Sequence, residues 1–199
     1  YIKRTSKRSY KEDEQPLLKE RDYIIGLYEI NTKEVMLLFT NLGNFLYIPV
    51  YTIPTASWKE LGKHVSNIIK LESNEEIVSA IKVTNFNEDL DITIATKLLR
   101  YNKSVSCIKL KDDDEVVSVF VSLYNNIFVA SSDGYGLWFD INEIPIVGLK
   151  TSGVRSINLK DDKVVSVNNF DSIDYITVIT NKGTGKRIRL DEFDKSTRA

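Results

Sequence analysis

The chain has 199 residues, of which 42% are hydrophobic and 28% are charged, and its formal net charge is −1. This length allows a sizeable core, in one compact unit or in a short array of repeats. The longest apolar runs are too short to span a membrane, and the single Cys107 rules out an internal disulfide framework.

The first segment is basic. Residues 1–11 carry Lys3, Arg4, Lys7, Arg8 and Lys11 and no acidic residue, whereas "EDE" follows directly at 12–14. The segment has the pattern of a strand and shows no signal-peptide features. We therefore expect the chain to begin inside a β-hairpin of a domain that belongs to a longer protein.

Three glycine-centred hairpins are predicted along the chain. They read "TNLGNFLYIPVYTIP" from Thr40, "SSDGYGLWFDINEIP" from Ser131 and "TNKGTGKRIRL" from Thr180. β-Branched and aromatic residues dominate the flanking runs, which is typical of half-buried strands. Helical periodicity is nearly absent, and the best helix candidate, "ASWKELGKHV", is limited to about two turns by Gly62.

A second phrase follows the hairpins and combines a short strand, an acidic turn and an apolar strand. It reads "IKLESNEEIVSAIKV" from Ile69, "IKLKDDDEVVSVFV" from Ile108 and "INLKDDKVVSVNNF" from Ile157, with a weaker copy from Leu17. The unit therefore has four short strands and recurs at roughly 40 to 50 residues, which predicts a propeller-like ring of blades. One such blade exposes an apolar face that only a neighbouring blade can cover.

The third copy of the four-stranded unit is shorter than the others. After "DITIATK" from Asp91, the chain runs directly into "LLRYNKSVSC" without a glycine turn. About 15 residues are missing by comparison with the other copies. Either this blade has lost its hairpin or a hairpin tip is absent at the junction between Lys97 and Leu98, and we favour the second alternative because a lost strand would leave an unpaired edge.

Several of these phrases together resemble one family. "YIKRTSKRSY", "LLFTNLGNFLYIPVYTIP", "WKELGKHVS", "IVGLKTSGVRSINLK" and "NKGTGKRIRLDEF" are similar to the C-terminal domain of the A subunit of bacterial type IIA topoisomerases. The resemblance covers residues 1–199 and implies one all-β domain, a β-pinwheel. That fold is a propeller-like disc of four-stranded, strand-exchanged blades. We expect about five blade units, the first and last incomplete.

Two branches of this family are distinguished by a basic, glycine-rich heptapeptide in the first blade, which the gyrase branch uses to wrap DNA. The matching region here, "RSYKEDEQPLLKERD", contains no glycine. This departure favours the topoisomerase IV branch, and "SWKELGKHVS" resembles the Gram-positive form of that branch. The gyrase-type DNA-wrapping domain is kept as the alternative.

The resemblance implies a non-catalytic DNA-binding domain of an ATP-hydrolysing isomerase. Such a domain would bind and bend duplex DNA and position it for decatenation and relaxation during chromosome segregation. The family's Mg²⁺ and ATP would bind elsewhere, so no cofactor, metal or catalytic residue is expected in this chain. The implied partners are duplex DNA, two ATPase (B) subunits and a second A subunit. We expect no membrane-spanning contact, a monomeric isolated domain, and a cytoplasmic, chromosome-associated enzyme.

Other chemistry-bearing residues have structural interpretations. The acidic run at 112–114 is interpreted as a solvated turn rather than a metal site, because the other copies do not keep the same acids. His64 is interpreted as structural or as a neutral donor to DNA, and Cys107 as a small core residue.

The basic residues carry the functional hypothesis, because Lys and Arg bind phosphates without regard to sequence. Alternation along "KRIR" predicts Lys186 and Ile188 on one face and Arg187 and Arg189 on the other. The predicted main contacts are Lys3, Arg4, Lys7, Arg8, Lys182, Lys186, Arg187 and Arg189. The predicted secondary contacts are Lys59, Lys63, Arg100, Lys103, Lys150 and Arg155.

Three alternatives remain open at this point. The basic clusters could be solubilising charges, the near-neutral net charge would suit a protein-interaction propeller, and the third alternative is an independent propeller enzyme. The enzyme is disfavoured because no convergent acid, base or nucleophile set is visible in the sequence.

Overall fold

The computed structural model describes residues 1–84 and 104–198. Within these ranges the protein consists of β-strands, 3-10 turns and loops, with no α-helix. The chain divides into two compact units. The first contains Tyr1–Val119 with Gly148–Ser152, and the second contains Phe120–Val147 with Gly153–Ala199. The predicted all-β fold is confirmed.

The first unit is built on a four-stranded antiparallel sheet in the order β3-β1-β2-β4. Its strands are β1 (Val35–Thr40), β2 (Asn44–Pro49), β3 (Ile77–Val83) and β4 (Val105–Ser106). β1 and β2 form the glycine hairpin, and β3 is the strand that follows the acidic turn. β4 belongs to the next copy of the repeat, so the sheet is completed by an exchanged strand, as the predicted pinwheel requires.

The second unit contains the two remaining hairpins. β5 (Asn126–Ser131), β6 (Gly136–Asp140) and β7 (Val164–Phe170) form an antiparallel sheet in the order β6-β5-β7. β8 (Tyr175–Ile179) and β9 (Gly185–Arg189) form the last hairpin. β7 pairs with β5 as β3 pairs with β1, including a register shift at the same place near the end of the first strand.

The three hairpins close on the same turn. Its glycine has a positive φ, which is 75° at Gly43, 90° at Gly134 and 79° at Gly183. The residue three positions earlier is a threonine or serine, and its hydroxyl accepts the amide that follows the glycine at 3.1 to 3.3 Å. The repeat inferred from the sequence therefore recurs in the structure as the same turn with the same hydrogen bond.

A single 3-10 turn follows each hairpin, at Val50–Thr52, Ile141–Glu143 and Leu190–Glu192. Its first amide donates to the carbonyl of the residue before the first strand, at 2.8 to 3.0 Å. The same turn occurs at Lys7–Ser9. Before this turn, the backbone of Ile2 pairs with Lys63 and that of Arg4 with Thr55 as isolated bridges.

The acidic turns make more contacts than the sequence predicts. The Glu75 side chain is buried, and its Oε1 accepts from Thr40 Oγ1 at 2.8 Å and Asn44 Nδ2 at 2.7 Å. At the equivalent position, Asp162 Oδ1 accepts from Ser132 Oγ at 2.5 Å. These two carboxylates are therefore not simply solvated, because each binds the glycine turn of its own copy.

Apolar clusters lie on both faces of the first sheet. One face is covered by a cluster around Leu46 and Ile48, which are fully buried. The other face is covered by Leu37, Phe45 and Val83. In the second unit, one cluster surrounds Phe139. A second cluster joins the last two hairpins and contains Phe128, Phe170 and Leu190, with Ile176 of β8 packed against it.

The helix candidate at 56–65 does not form an α-helix. The carbonyls of Ser57, Trp58 and Glu60 accept hydrogen bonds from the ammonium of Lys3, and only the Ser57 carbonyl also closes a single turn, with the Glu60 amide at 3.2 Å. The Glu60 carboxylate accepts the Ser57 amide at 2.7 Å. Only a 3-10 turn at Val65–Asn67 follows.

Two predicted strands are also absent from the described residues. In the weaker copy of the repeated phrase, which starts at Leu17, the predicted turn is present, because the Asp22 amide donates to the Lys19 carbonyl. The strand predicted after it does not form at residues 23–30. Residues 116–121 form none either. The predicted missing hairpin at Lys97 and Leu98 lies outside the described residues. No helix among the described residues is long and apolar enough to cross a membrane.

Candidate nucleic-acid interface

The last hairpin presents one exposed face. In the antiparallel register, Tyr175 lies opposite Arg189 and Thr177 lies opposite Arg187. These side chains share a face with Ile179, which is 70% exposed. The other face carries Ile176 and Ile188, which are half-buried, and Lys186. The predicted alternation along β9 is thus confirmed.

The two arginines of the exposed face have different partners. Arg187 Cζ lies 4.4 Å from the centre of the Tyr175 ring, in a cation–π arrangement. Arg189 donates to both carboxylate oxygens of Asp191, at 3.0 and 2.5 Å. A bidentate carboxylate occupies the guanidinium edge that would otherwise bind phosphate. Arg187 is therefore the more available of the two.

The hairpin also carries two unpaired lysines. Lys182 lies in the turn and Lys186 lies at the start of β9, and both are exposed. Among the described residues, neither forms an ion pair. With Arg187, they give the hairpin three cations without a carboxylate partner.

Lys3 has a different environment. Its ammonium donates to the carbonyls of Ser57 at 3.0 Å, Trp58 at 2.7 Å and Glu60 at 2.7 Å. Burial lowers the pKa of Lys3, and the charge of Glu60 opposes that effect. An ammonium has three N–H donors, and all three are used here. Lys3 therefore acts first as a structural clamp.

The other predicted contacts near the start of the chain, Arg4, Lys7 and Arg8, differ in their partners. Arg4 donates to the Ile53 carbonyl at 3.2 Å and to Thr55 Oγ1 at 3.1 Å. Lys7 forms an exposed ion pair with Glu29 at 2.6 Å, and this pair lowers the pKa of Glu29. Arg8 is exposed and forms no ion pair among the described residues. The first cluster offers fewer unpaired cations than the sequence predicts.

The predicted secondary contacts are exposed but scattered. Lys59 pairs with Glu14 at 3.0 Å, and Lys11 pairs with the same carboxylate at 2.7 Å. These two lysines lower the pKa of Glu14. Lys63 is exposed, and its backbone pairs with Ile2.

Two further secondary contacts follow the 3-10 turn at Ile141–Glu143 along the chain. Lys150 is exposed and has a positive φ of 66°. Arg155 is exposed, and its Nη1 lies 3.4 Å from Asn158 Oδ1. Arg100 and Lys103 lie outside the described residues.

The structure brings the predicted contacts together as two groups in different units. Residues 3–8 belong to the first unit and residues 182–189 to the second. Of the two groups, the last hairpin has more cations without an ion pair among the described residues. It remains a prediction that both groups contribute to one binding surface.

His64 and Cys107 have structural contacts. His64 Nδ1 lies 2.6 Å from Ser66 Oγ and accepts the Ser66 amide at 3.3 Å, so the imidazole caps a 3-10 turn. Cys107 Sγ donates to the Gly43 carbonyl at 3.1 Å, and burial raises the pKa of its thiol. Among the described residues, no group of His, Cys, Asp and Glu side chains is arranged to hold a metal ion.

Sequence reasoning missed two residues of the hairpin. Tyr175 follows from the antiparallel register, since counting outward from the Gly183 turn places it next to the arginines of β9. Asp191 follows from its position two residues after Arg189, in the turn that begins at Leu190. Both signals are present in the sequence once the hairpin is aligned.

Comparison with known proteins identifies the family. The family model described as "DNA gyrase C-terminal domain, beta-propeller" matches residues 34–84, 97–122, 125–171 and 174–199. The chain is 38% identical to the A subunit of DNA topoisomerase 4 from Bacillus subtilis (strain 168), over 100% of this chain and 27% of the relative. The chain thus spans about a quarter of the length of the curated relatives that it matches.

Solved structures give the same result. The crystal structure of the C-terminal domain of DNA topoisomerase IV aligns with a TM-score of 0.89 and 40% identity, covering 100% of this chain and 67% of that one. The structure of the DNA gyrase A C-terminal domain aligns with a TM-score of 0.69 and 23% identity, covering 100% of this chain and 71% of that one, which shows the shared fold. The predicted resemblance, nearer to the topoisomerase IV branch, is confirmed. The chain belongs to the family of DNA gyrase C-terminal domains, which are β-propeller proteins.

Proposed function

We propose that this chain is a DNA-binding, non-catalytic domain that holds duplex DNA through phosphate contacts. The observation that carries the proposal is the last hairpin, where Lys182, Lys186 and Arg187 are exposed and have no carboxylate partner in residues 1–84 and 104–198. Cations of this kind neutralise phosphates and release counterions, whatever the base sequence. The flanking Asp191 pairs with Arg189 and leaves these three cations to other partners.

The proposal extends to the whole protein through its relatives. The curated relatives are named as the A subunit of DNA topoisomerase 4. By this similarity, the domain would bind and bend duplex DNA for a type IIA topoisomerase that decatenates and relaxes DNA with ATP during chromosome segregation. Its further partners would be two ATPase subunits and a second copy of its own subunit. We place the enzyme in the cytoplasm on the chromosome, and its Mg²⁺ and ATP outside this chain.

The gyrase alternative is disfavoured by the first copy of the repeat. Residues 8–22 lack the glycine-rich basic heptapeptide of the wrapping branch. The segment instead places Glu14 between Lys11 and Lys59, where a carboxylate competes with phosphate for both ammonium groups. We therefore propose that this domain does not support negative supercoiling.

The test replaces Lys186, Arg187 and Arg189 together by alanine. The matched control replaces Lys111, Lys160 and Lys163, three lysines of the acidic turns, and removes the same net charge. Binding of both variants to a duplex of arbitrary sequence is measured at low salt. We expect the hairpin variant to lose on the order of tenfold or more in affinity, because it loses phosphate contacts, and the control to bind nearly as the original chain does.

Equal losses in the two variants would contradict the proposal, because they would mean that only total charge matters. An unchanged affinity in a folded hairpin variant would place the binding surface elsewhere. In the intact enzyme, we expect the hairpin variant to retain cleavage of simple linear DNA. Its preference among supercoiled and linked substrates should weaken.

A further inference from the structure

We infer that Tyr175 is a positioning residue for DNA binding, because its ring holds the guanidinium of Arg187 ready for a phosphate. The inference rests on the proposed function and names a residue outside the basic set. The distance from Arg187 Cζ to the centre of the Tyr175 ring is 4.4 Å.

The hairpin register creates this contact. Thr177 lies directly opposite Arg187, and Tyr175 lies two residues along the same strand on the same face. Diagonal neighbours on one sheet face are within reach of long and aromatic side chains. Thr177 is small, so the Arg187 side chain can lean past it towards the ring. Tyr175 is 47% exposed, so the stacked pair stands at the surface.

Stacking leaves the phosphate-binding edge of Arg187 open. A guanidinium is planar and carries five N–H donors around its edge. The guanidinium carbon lies 4.4 Å from the centre of the ring, and among the described residues no carboxylate pairs with Arg187. In Arg189, by contrast, Asp191 occupies the edge with two hydrogen bonds. The two arginines on this face therefore differ in what contacts the guanidinium. Arg187 lies over an aromatic ring, whereas the N–H donors of Arg189 are engaged by a carboxylate.

Ordering Arg187 before binding reduces the entropy lost when it contacts DNA. A long side chain loses rotamer freedom when it is fixed at an interface, and the ring has already removed part of that freedom. Loss of the ring should therefore weaken binding without removing a charge. The energy of an exposed cation–π contact corresponds to a change of about two- to fivefold in an equilibrium constant, and we take this as the expected loss of DNA affinity.

The experiment is a double-mutant cycle with the 199-residue chain. Tyr175→Ala, Tyr175→Phe, Arg187→Ala and the double Tyr175→Ala/Arg187→Ala variants are titrated with one duplex at several salt concentrations. Tyr135→Ala is the matched control, because Tyr135 is a 65% exposed tyrosine near the tip of another hairpin. Circular dichroism and thermal unfolding establish that each variant is folded.

We expect Tyr175→Ala to weaken binding by about two- to fivefold at every salt concentration, with an unchanged salt slope. Tyr175→Phe should bind as the original chain does, because the ring is kept. In the Arg187→Ala background, replacement of Tyr175 should have no further effect. Tyr135→Ala should bind as the original chain does.

Three results would overturn the inference alone. The Tyr175→Ala effect could persist in the Arg187→Ala background, Tyr175→Phe could bind as weakly as Tyr175→Ala, or Tyr175→Ala could change the salt slope. If Tyr175→Ala fails to fold, Tyr175→Leu replaces it in the cycle, because leucine also removes the ring, and the same outcomes decide. An unchanged affinity in Arg187→Ala would instead overturn the proposed role of the hairpin, and the inference with it.

Discussion

Glu75 and Asp162 occupy equivalent positions in two copies of the repeat, and each binds the turn of its own hairpin. Glu75 binds Thr40 and Asn44 through one oxygen, and its other oxygen accepts the Glu72 amide at 3.1 Å. Burial acts to raise the pKa of Glu75, but these hydrogen bonds outweigh it and the pKa is lowered. The carboxylate therefore stabilises the turn in its charged form.

Replacement of Glu75 by alanine should destabilise the protein by about 2 to 3 kcal/mol, because hydrogen bonds to a charged group are lost and buried donors are left without partners. Chemical denaturation at neutral pH measures this loss. The control is Glu76→Ala, since Glu76 is adjacent and exposed, and it should change the free energy of unfolding by less than about 0.5 kcal/mol. Equal effects of the two substitutions would show that the buried carboxylate contributes nothing to the turn.

Asp162 makes stability depend on pH. Burial acts to raise its pKa, but hydroxyls of Ser131 and Ser132 and the amides of Lys163 and Asp133 lower it from 3.8 to about 2. Because the folded-state pKa is the lower one, the folded state favours the charged carboxylate. The resulting stability is present above the unfolded-state pKa and is lost as the pH falls through the folded-state pKa.

We therefore expect the difference in unfolding free energy between the original chain and Asp162→Asn to be largest above about pH 4 and to shrink towards about pH 2. Denaturant titrations at successive pH values measure the difference. A difference that stays constant over this range, or that grows on acidification, would contradict the assignment.

At the scale of elements, the repeated unit is a hairpin whose glycine has a positive φ. L-Amino acids other than glycine are strained in that conformation. Gly43 and Gly134 differ in their surroundings. A Cβ at Gly43 would lie 2.7 Å from Ile108 Cγ2, whereas a Cβ at Gly134 would meet nothing within 4 Å.

Gly134→Ala should therefore destabilise the protein by about 1 to 2 kcal/mol through backbone strain alone. Gly43→Ala should destabilise it by at least about 1 kcal/mol more, because it adds overpacking against Ile108. Thermal or chemical unfolding of the two variants gives the comparison. If Gly134→Ala proved the more harmful, the close packing of the first hairpin turn would be refuted.

Much of the element order could be predicted because its signals are local. Glycine turns, alternating apolar residues and the recurring acidic turn identify the hairpins and the two faces of β9. The helix candidate at 56–65 could not be judged from local signals, because three of its carbonyls accept hydrogen bonds from Lys3, which lies more than fifty residues away. The role of Lys3 as a clamp could not be predicted for the same reason.

The site was predicted in part. The sequence identifies the last hairpin as basic, and in the part of the chain that the structure describes, Lys186 and Arg187 form no ion pair. The sequence does not show that Arg187 and Arg189 have different partners. Those partners depend on the strand register for Arg187 and on the turn after β9 for Arg189. Tyr175 contacts Arg187 and Asp191 pairs with Arg189, and both neighbours follow from the sequence only once the hairpin strands are aligned.

At the scale of the whole molecule, the net charge of −1 gives no sign of a polyanion partner. The charges are separated, however, with acids in the repeated turns and unpaired cations on the last hairpin. Separated charge creates a local positive potential that a mean value hides. DNA binding by this molecule should therefore depend on local phosphate contacts and respond strongly to salt.

The most direct test is a salt titration of the chain with two unrelated duplexes of equal length, between about 50 and 200 mM salt. The logarithm of the affinity should fall linearly with the logarithm of the salt concentration, with the same slope for both duplexes. The variant lacking Lys186, Arg187 and Arg189 should have a slope smaller by about two to three, since each phosphate contact contributes about 0.9. An affinity that does not respond to salt, or an unchanged slope in the folded variant, would contradict the account.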